Sequence, residues 1–290
     1  MDELKNKENQ YKSIDLSQWH KTGSGANSDS YVNEDETLLL KHFKFHGTEE
    51  LALNDYNMAK KVAGLGIATA SVYEVVRIGD EYGVIYENIR HKKSYSRMVA
   101  DNPEKLDEYA KSFARKTKEL HSTPCDTQLF GSKTDRIRTG IEAAKFIGKY
   151  KAGLYKLLEE MDEHTTCLHG DLQTGNLIQA EGKDYWIDLD RFSSGDPLMD
   201  LAHMYNAFVD MAWLPYIPYL MHMNKKKLNR FWAVFVKEYF GYNEEETKAL
   251  NKKLDIYNAL DLLQKNNKPG WYPDLITLIL VKPKLKRFFK

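Results

Sequence analysis

This chain of 290 residues has few cysteines, no formal net charge and no long apolar run, three features that often indicate the class of a protein. It has two cysteines, Cys125 and Cys167, whose spacing fits neither a metal site nor a redox motif, so we expect reduced thiols. Lysine plus arginine and aspartate plus glutamate both number 42, so no net charge attracts nucleic acid or a membrane surface. The most apolar run, residues 211–223, contains prolines and is shorter than the about 20 residues that cross a bilayer.

These absences leave a globular protein without an obvious charged partner. The polar N-terminal residues do not resemble a signal peptide, so we expect a cytoplasmic protein with no nucleic-acid partner and no membrane span. Hydrophobic residues make up 42% and charged residues 29%, which is ordinary for a globular chain. The length is large for one core and predicts two lobes. The sequence indicates no oligomeric state.

Strand patterns dominate residues 17–89, and helical patterns dominate after residue 103. Strands are predicted at 36–43, 71–79 and 82–89, the last two joined by a Gly-Asp-Glu turn. One helix is predicted between them, at 49–63. Helical spacing then recurs from residue 103, and at 136–163, 198–212, 226–240, 244–265 and 272–288. The pattern predicts an α+β, bilobal protein with an N-terminal lobe at 1–88, an antiparallel sheet with one helix, and a larger, mostly helical lobe at 89–290.

The stretch CLHGDLQTGN, residues 167–176, places polar side chains close together before a predicted hairpin. Two short strands, 177–180 and 185–188, flank a turn, and the open ends of an antiparallel hairpin meet. We therefore expect Asn176 beside Asp188, as a pair of oxygen ligands that suits Mg²⁺. Asp171 would then be free to approach a substrate hydroxyl, as phosphoryl transfer requires.

The run HGDLQTGN (169–176), followed by IDLD (187–190), resembles the aminoglycoside phosphotransferase and choline kinase family, a branch of the protein-kinase-like fold. The resemblance includes the strand-rich lobe, ELHS (119–122) and GDPLMDLAHM (195–204). It covers most of residues 17–210, whereas the remainder matches only as a helical tail. The resemblance implies that Asp171 is the catalytic base or orients the hydroxyl. It also implies that Asn176 and Asp188 hold Mg²⁺, supported by Asp190.

The resemblance also implies a nucleotide site in the first lobe. Lys41 would reach the α- and β-phosphates of ATP, with GTP as the alternative nucleotide, and its acidic partner would be Asp55 or Glu50. Backbone N–H groups of the loop Gly23-Ser24-Gly25-Ala26-Asn27-Ser28 would cover the phosphates. The segment from Ile85 to Ile89 would line the adenine, with backbone groups of Tyr86 and Asn88 as its hydrogen-bond partners.

Other polar residues have structural interpretations. His121 and His169 are expected to be architectural, and Asp196 and Asp200 to be a helix cap and a carboxylate that orders the loop. Five aromatic residues have two possible interpretations: they line a substrate cleft or they belong to the core. The core is the favoured interpretation. The residues are Trp213, Tyr216, Tyr219, Trp271 and Tyr272.

The resemblance implies a kinase that transfers the γ-phosphate of ATP to a hydroxyl of a small molecule: an aminoglycoside-like, choline-like or sugar compound. The alternatives are a nucleotide-binding pseudokinase, which acts as a regulatory module without turnover, and a protein kinase. Gly170 stands where protein kinases have an arginine that pairs with a phosphorylated loop. Only twelve residues separate Asp188 from the helix expected near Leu201. Both features favour a small-molecule acceptor, an alcohol or an amino sugar, and an enzyme that needs no phosphorylation.

Overall fold

The computed structural model describes residues 10–25, 28–44, 47–161, 164–267 and 271–290. The chain forms two compact units, each described by itself. Unit 1 comprises the residues up to Lys93 together with Leu177–Asp190, and unit 2 comprises Ser94–Asn176 and Arg191–Lys290. The hairpin after Asn176 therefore belongs to unit 1. The boundary expected between residues 88 and 89 stays a prediction, because compactness does not define a functional domain.

The strands confirm the strand-rich character of the N-terminal part. They are β1 (Lys12–Ser13), β2 (His20–Ser24), β3 (Ser28–Val32), β4 (Leu38–Phe43), β5 (Val72–Ile78), β6 (Glu81–Glu87), β7 (Lys93–Ser94), β8 (Thr166–Leu168), β9 (Leu177–Ala180), β10 (Lys183–Trp186) and β11 (Ser193–Gly195). The first six form one sheet in the order β1-β5-β6-β4-β3-β2. Every pair in this sheet is antiparallel except β1 with β5.

Both faces of this sheet carry buried apolar side chains. Val75 and Val76 are neighbours in β5, and because side chains alternate along a strand they enter different clusters. Val76 packs with Leu40 and other residues on one face, while Val75 joins Phe43 on the other. The β-branched, aromatic composition that predicted these strands therefore reflects burial on both faces.

Helix α1 (Glu49–Gly64) covers one face of the sheet. Thr48 caps its N-terminus by accepting a hydrogen bond from Leu51 N at 3.3 Å. Ala52 of the helix joins the cluster that contains Phe43. Asp55 is also buried on the packed side of α1. A charged side chain in that position requires a partner of opposite charge.

The hairpin β9–β10 turns through two residues rather than the four predicted. Glu181 and Gly182 both have positive φ, at 50° and 78°, as a type I′ turn requires. β10 consequently begins at Lys183 and ends at Trp186, which pairs with Leu177. Asp188 therefore lies beyond the strand in which it was predicted.

Helices form most of unit 2. They are α2 (Tyr95–Asp101), α3 (Leu106–His121), α4 (Thr127–Phe130), α5 (Lys133–Ala143), α6 (Lys151–Met161), α7 (Pro197–Tyr205), α8 (Tyr216–Met221), α9 (Lys225–Phe240), α10 (Glu244–Leu263), α11 (Tyr272–Ile276) and α12 (Lys282–Phe288). The helix predicted at 136–163 is two helices, interrupted where Phe146 adopts a φ of 67°. The short helices α2, α4 and α8 were not predicted.

An aromatic core joins α3 to α9 within unit 2. The ring of Phe113 lies 5.9 Å from the rings of Phe231 and Phe235 and 5.6 Å from that of Tyr95, measured between centroids. This core confirms the helical spacing of apolar residues in α3. Among the residues described, no helix is both long enough and apolar enough to cross a membrane.

Candidate active site

A cavity of about 570 Å³ lies within unit 1, a volume in the usual range for small-molecule sites. Six residues of the predicted nucleotide site line it: Gly23, Gly25, Ser28, Lys41, Tyr86 and Asn88. Asp55 and Asp188 line it as well. Apolar walls come from Val32, Leu39, Ala59, Ala70, Ile89, Ile178, Ile187 and Leu189. The cavity thus combines a charged end with a surface suited to a flat ring.

Lys41 lies between two carboxylates at the charged end of the cavity. Its Nζ is 2.8 Å from Asp55 Oδ1 and 3.1 Å from Asp188 Oδ1. Burial would lower the pKa of Lys41, but the charges of the two aspartates outweigh burial and raise the pKa above its ordinary value. Lys41 is therefore an ammonium at neutral pH. Its partner on α1 is Asp55 rather than the exposed Glu50.

Asp55 and Asp188 differ in how firmly they are held. Asp55 is 3% exposed and also accepts a hydrogen bond from the Tyr86 hydroxyl. Asp188 is 52% exposed, and its φ of 56° is uncommon for a non-glycine residue. Such backbone conformations are concentrated at ligand sites, where they aim a side chain. Asp188 therefore has a defined backbone and an accessible carboxylate.

The predicted glycine loop is described only in part. Gly23 and Gly25 line the cavity, whereas the hydroxyl of Ser24 bonds to Asp29 at 2.8 Å and to Lys44 at 2.7 Å. Ala26 and Asn27 lie outside the described residues. The Ser24 side chain therefore ties the loop to its own hairpin, and the role of the loop in covering phosphates stays a prediction.

The backbone at the predicted adenine site is partly engaged. The N–H of Asn88 donates to Thr37 O at 2.9 Å, and the side chain of Asn88 donates to Glu36 O at the same distance. That amide therefore already has a partner, and the neighbouring residue Ile89 also lines the cavity. The adenine contacts of Tyr86 and Asn88 stay predictions.

In unit 2, Asp200 orders the loop that carries Asp171. Its two oxygens accept the backbone N–H groups of His169 at 2.6 Å and Gly170 at 2.8 Å. His121 Nε2 lies 3.2 Å from the same carboxylate. Asp196 caps α7 by accepting from Leu198 N at 2.9 Å. The structural roles expected for His121, Asp196 and Asp200 are therefore observed.

Gly170 leaves no room for a side chain. Its φ is 81°, and a Cβ built at this position would lie 2.2 Å from the carbonyl oxygen of Arg191. An arginine, as found here in protein kinases, would require both the backbone and the Arg191 segment to move. The local geometry is thus incompatible with an arginine beside Asp171 at this position.

Two charged side chains contact the same oxygen of Asp171. Oδ1 lies 2.8 Å from His203 Nε2 and 3.9 Å from Arg191 Nη1. Burial would raise the pKa of Asp171, but the hydrogen bond and charge of His203, with the charge of Arg191, outweigh it. The pKa therefore falls well below its ordinary value. Asp171 is a carboxylate at neutral pH, as a group that orients a hydroxyl must be.

Asn176 presents its oxygen rather than its nitrogen. Its Nδ2 donates to the carbonyl oxygen of Asp171 at 2.9 Å, and the contact of its Oδ1 with Gln173 Nε2 is long, at 3.5 Å. The amide oxygen is thus the atom available to a hard cation. Because Asn176 and Asp188 lie in different units, their shared role in holding a metal stays a prediction, as does the support from Asp190.

The two predicted metal ligands are each of a kind that Mg²⁺ takes. Across the described ranges, no group of three or more histidine, cysteine, aspartate or glutamate residues is arranged to hold a metal ion. Mg²⁺ commonly takes one or two protein oxygens and completes its shell with phosphate and water. The amide oxygen of Asn176 and the accessible carboxylate of Asp188 are each consistent with that ligand preference.

Three residues around the loop 169–176, the predicted catalytic loop, were missed in the sequence. Arg191 places a positive charge near Asp171, and His203 contacts Asp171 directly. His203 follows Asp200 by three residues on α7, so both face the same loop, and this spacing was a usable signal. The third residue, Asp261 of α10, contacts His203 at 3.0 Å. No local pattern indicates a pairing over such a sequence distance.

The favoured interpretation of the aromatic residues as core was wrong. Trp213, Tyr216, Tyr219, Trp271 and Tyr272 are all exposed. Two of them, Tyr216 and Tyr219, lie on α8, whose last residue Met221 is buried and contacts the Thr174 hydroxyl at 4.0 Å. Helical spacing alone does not distinguish a face packed on the core from one presented to solvent. The exposed rings of α8 therefore lie on a helix that packs against the catalytic loop.

The model of the phosphotransferase enzyme family, APH, matches residues 19–230, and the chain belongs to that family. The protein LicA homolog of Mycoplasma capricolum subsp. capricolum is 29% identical over 103 residues, which are 32% of this chain and 42% of that protein. The match therefore spans less than half of the relative.

Solved structures show the same fold over nearly the whole chain. The ADP-bound aminoglycoside phosphotransferase APH(2'')-Ib is 16% identical, with 98% of this chain and 96% of that one covered and a TM-score of 0.56. A choline/ethanolamine kinase family protein from Mesorhizobium loti is 14% identical, with 93% and 86% covered and a TM-score of 0.53. These likenesses confirm the protein-kinase-like fold expected from the motifs.

Proposed function

We propose that the protein transfers the γ-phosphate of ATP to a hydroxyl of a small molecule, with Mg²⁺ as the cofactor. The observation that carries the proposal is the cavity of unit 1, in which Lys41 is an ammonium beside Asp55 and the accessible Asp188. A positive charge beside an accessible carboxylate suits a phosphate chain and the cation that accompanies it. The ADP in a structure of the same fold supports a nucleotide as the occupant. GTP remains the alternative donor.

One group of residues would bind the phosphates and the metal, and Asp171 would orient the acceptor hydroxyl. Lys41 would neutralise charge on the phosphates, and Gly23 and Gly25 would let the backbone approach them closely. Mg²⁺, when bound through Asp188 and Asn176, would supply further positive charge to the phosphates. Asp171 would accept a hydrogen bond from the acceptor hydroxyl and direct its lone pair toward the γ-phosphorus.

The transfer needs no reactant other than ATP and the acceptor. The acceptor oxygen forms a bond to the γ-phosphorus while the bond from that phosphorus to the β–γ bridging oxygen breaks, which releases ADP. The hydroxyl proton passes to Asp171 and then to solvent. Because the pKa of Asp171 is low, the aspartate is a weak base, and its main contribution is orientation.

The relatives and Gly170 support the choice of acceptor class. One solved relative of the same fold is named an aminoglycoside phosphotransferase and another belongs to the choline/ethanolamine kinase family, so we propose an amino sugar or a small amino alcohol. A protein substrate is disfavoured, because Gly170 leaves no space for the arginine that organises a phosphorylated loop.

A panel of hydroxylated amines tests the proposal against its alternative, a pseudokinase that binds nucleotide without turnover. Aminoglycosides, choline, ethanolamine and sugars would each be incubated with the protein, Mg²⁺ and ATP, and ADP release would be measured. Acceptor-dependent ADP release, absent in Asp171→Ala, supports the kinase. Tight nucleotide binding without turnover on any acceptor would instead favour the pseudokinase.

A further inference from the structure

Four charged side chains form a continuous chain inside unit 2. Asp171 Oδ1 is 2.8 Å from His203 Nε2, and His203 Nδ1 is 3.0 Å from Asp261 Oδ2. The other oxygen of Asp261 accepts from Lys133 Nζ at 2.7 Å. The side chains of Asp261 and Lys133 are only 5% and 3% exposed, so this end of the chain is fixed in the core. Only the Asp171 end reaches the catalytic loop.

The ring of His203 has a carboxylate at each nitrogen. A neutral imidazole donates from one nitrogen only, so the doubly protonated ring is the form that satisfies both contacts. Burial would lower the pKa of His203, but the hydrogen bonds and charges of Asp171 and Asp261 outweigh burial and raise it to about 9. The ring is therefore an imidazolium at neutral pH, and the chain alternates strictly in sign.

We infer that His203 is a positioning residue, which fixes the carboxylate of Asp171 so that its second oxygen is presented to the acceptor hydroxyl. The inference rests on the proposed function. Among the described residues, the two charged groups that contact the carboxylate, His203 and the more distant Arg191, both do so at Oδ1. A carboxylate held at one oxygen cannot rotate freely about its Cβ–Cγ bond. Oδ2 is then the oxygen left for the substrate.

Asp261 makes this arrangement rigid. Its Oδ2 holds Nδ1 of the ring, while its Oδ1 is held by Lys133 and by Gln264 Nε2 at 2.6 Å. His203 on α7 and Asp261 on α10 are thereby joined to Lys133 on α5. The position of Asp171 is thus set by three helices as well as by its own loop. Rigid support of this kind matters because a misplacement of about 1 Å can cost about a hundredfold in rate.

Two amide substitutions separate positioning from a merely structural role. His203→Gln places an amide nitrogen near the position of Nε2, where it can still donate to Asp171. His203→Asn reaches only to the position of Nδ1, where it can still donate to Asp261. If His203 served only to join α7 to α10, the asparagine variant would be the better replacement. If His203 positions Asp171, the glutamine variant would be.

The experiment measures kcat and the KM for ATP in both variants, with the exposed His164→Asn of the same unit as control. We expect His203→Asn to lose about a hundredfold in kcat and His203→Gln about tenfold or less, with the KM for ATP unchanged in both. Equal losses in the two variants, or wild-type kcat in His203→Asn, would overturn the inference. If the wild-type protein turns over no acceptor, the proposed function itself fails.

A second measurement does not depend on turnover. The ring nitrogens of His203 would be titrated by NMR in the wild type and in Asp171→Asn and Asp261→Asn. Arg191 contacts the carboxylate of Asp171 and Lys133 contacts that of Asp261, so both cations are retained in these variants. We expect a midpoint near pH 9 in the wild type and a lower midpoint in each variant. A wild-type midpoint near the ordinary value of about 6.5 would show that the doubly paired ring does not form, and would overturn the inference even if His203→Asn fails to fold.

Discussion

The two units each contain a cluster of charges, and the clusters differ in balance and exposure. In unit 1, one ammonium on Lys41 faces the carboxylates of Asp55 and Asp188, and Asp188 is 52% exposed. In unit 2, the chain from Lys133 through Asp261 and His203 to Asp171 contains two cations and two carboxylates. The first cluster has a negative charge without a matching cation, whereas the second is balanced.

This difference indicates different purposes. A carboxylate in excess at the edge of a cavity is suited to exchange its ammonium partner for a cation that arrives with a ligand. A balanced and largely buried chain gains nothing from exchange, because removing one member leaves an uncompensated buried charge. The cluster of unit 1 is therefore suited to binding, and that of unit 2 to holding one carboxylate in place. Each prediction below tests one side of this contrast.

The largest effect is expected from Asp171→Ala. We expect kcat to fall about a thousandfold, the usual contribution of a positioned acid or base, while the Kd of ATP changes by less than about twofold. The affinity is retained because the residues that line the cavity all belong to unit 1. Steady-state ADP release gives kcat, and calorimetric titration gives the Kd. Lost affinity with surviving turnover would reverse the assignment.

Removing the accessible carboxylate should have the next largest effect. We expect Asp188→Ala to weaken Mg²⁺-dependent ATP binding by about a hundredfold or more, above the range for residues that only support a metal ligand. Asn176→Ala should cost about tenfold, because a neutral ligand contributes less to holding a dication than a full charge does. Titrating Mg²⁺ at fixed ATP measures both.

The metal prediction also has a structural test. A crystal structure with Mg²⁺ and a non-hydrolysable ATP analogue would show both side chains within about 2.1 Å of the ion if they are ligands. If Asp188 or Asn176 lies far from the metal in such a structure, its assignment as a ligand is wrong.

Asp55→Asn should affect stability more than chemistry. Asp55 is buried and pairs with Lys41, so we expect the free energy of unfolding to fall by about 3 kcal/mol and the KM for ATP to rise several-fold. Glu50→Gln is the matched control, because Glu50 is exposed on the same helix and was the other candidate partner. Urea unfolding measures stability. Equal effects of the two substitutions would contradict the assigned pair.

A smaller effect is expected from alkaline pH. The pKa of His203 is raised to about 9, so its contribution to stability is complete below the unfolded value of about 6.5 and is lost as the pH rises through 9. We expect the melting temperature of the wild type to fall between pH 7 and 10 more steeply than that of His203→Gln. Parallel curves would show that His203 has no raised pKa in the folded protein.

The sequence predicted the unit 1 cluster better than the unit 2 chain. Asp188 belongs to a motif with fixed spacing, and the resemblance to the family indicated Lys41 and limited its acidic partner to Asp55 or Glu50. By contrast, His203 contacts Asp261, which is 58 residues away, through the packing of α7 against α10. Such pairing depends on how helices pack, and no periodicity within either helix encodes it.

The misassigned elements have a similar cause. The helix predicted at 136–163 is interrupted at Phe146, whose positive φ follows from neither its residue type nor its neighbours. The aromatic residues of α8 have helical spacing but face solvent, because Met221 rather than the rings packs against the loop. Local pattern thus predicted the type of most elements, while tertiary contacts decided their ends and faces.

The smallest effect is expected from phosphorylation, which should change nothing. A protein kinase gains order when a phosphate on its loop pairs with an arginine beside the catalytic aspartate. Here that position is Gly170, where a Cβ would lie 2.2 Å from Arg191 O, and Asp171 is instead held by His203. Because His203 is itself fixed by Asp261 in the folded chain, no added charge is needed to orient the aspartate. Protein expressed without other kinases and shown by intact mass to carry no phosphate should therefore be fully active on its acceptor. Activity that appears only after phosphorylation, or transfer to peptides with none to any small alcohol or amino sugar, would show that the balanced chain does not suffice to position Asp171.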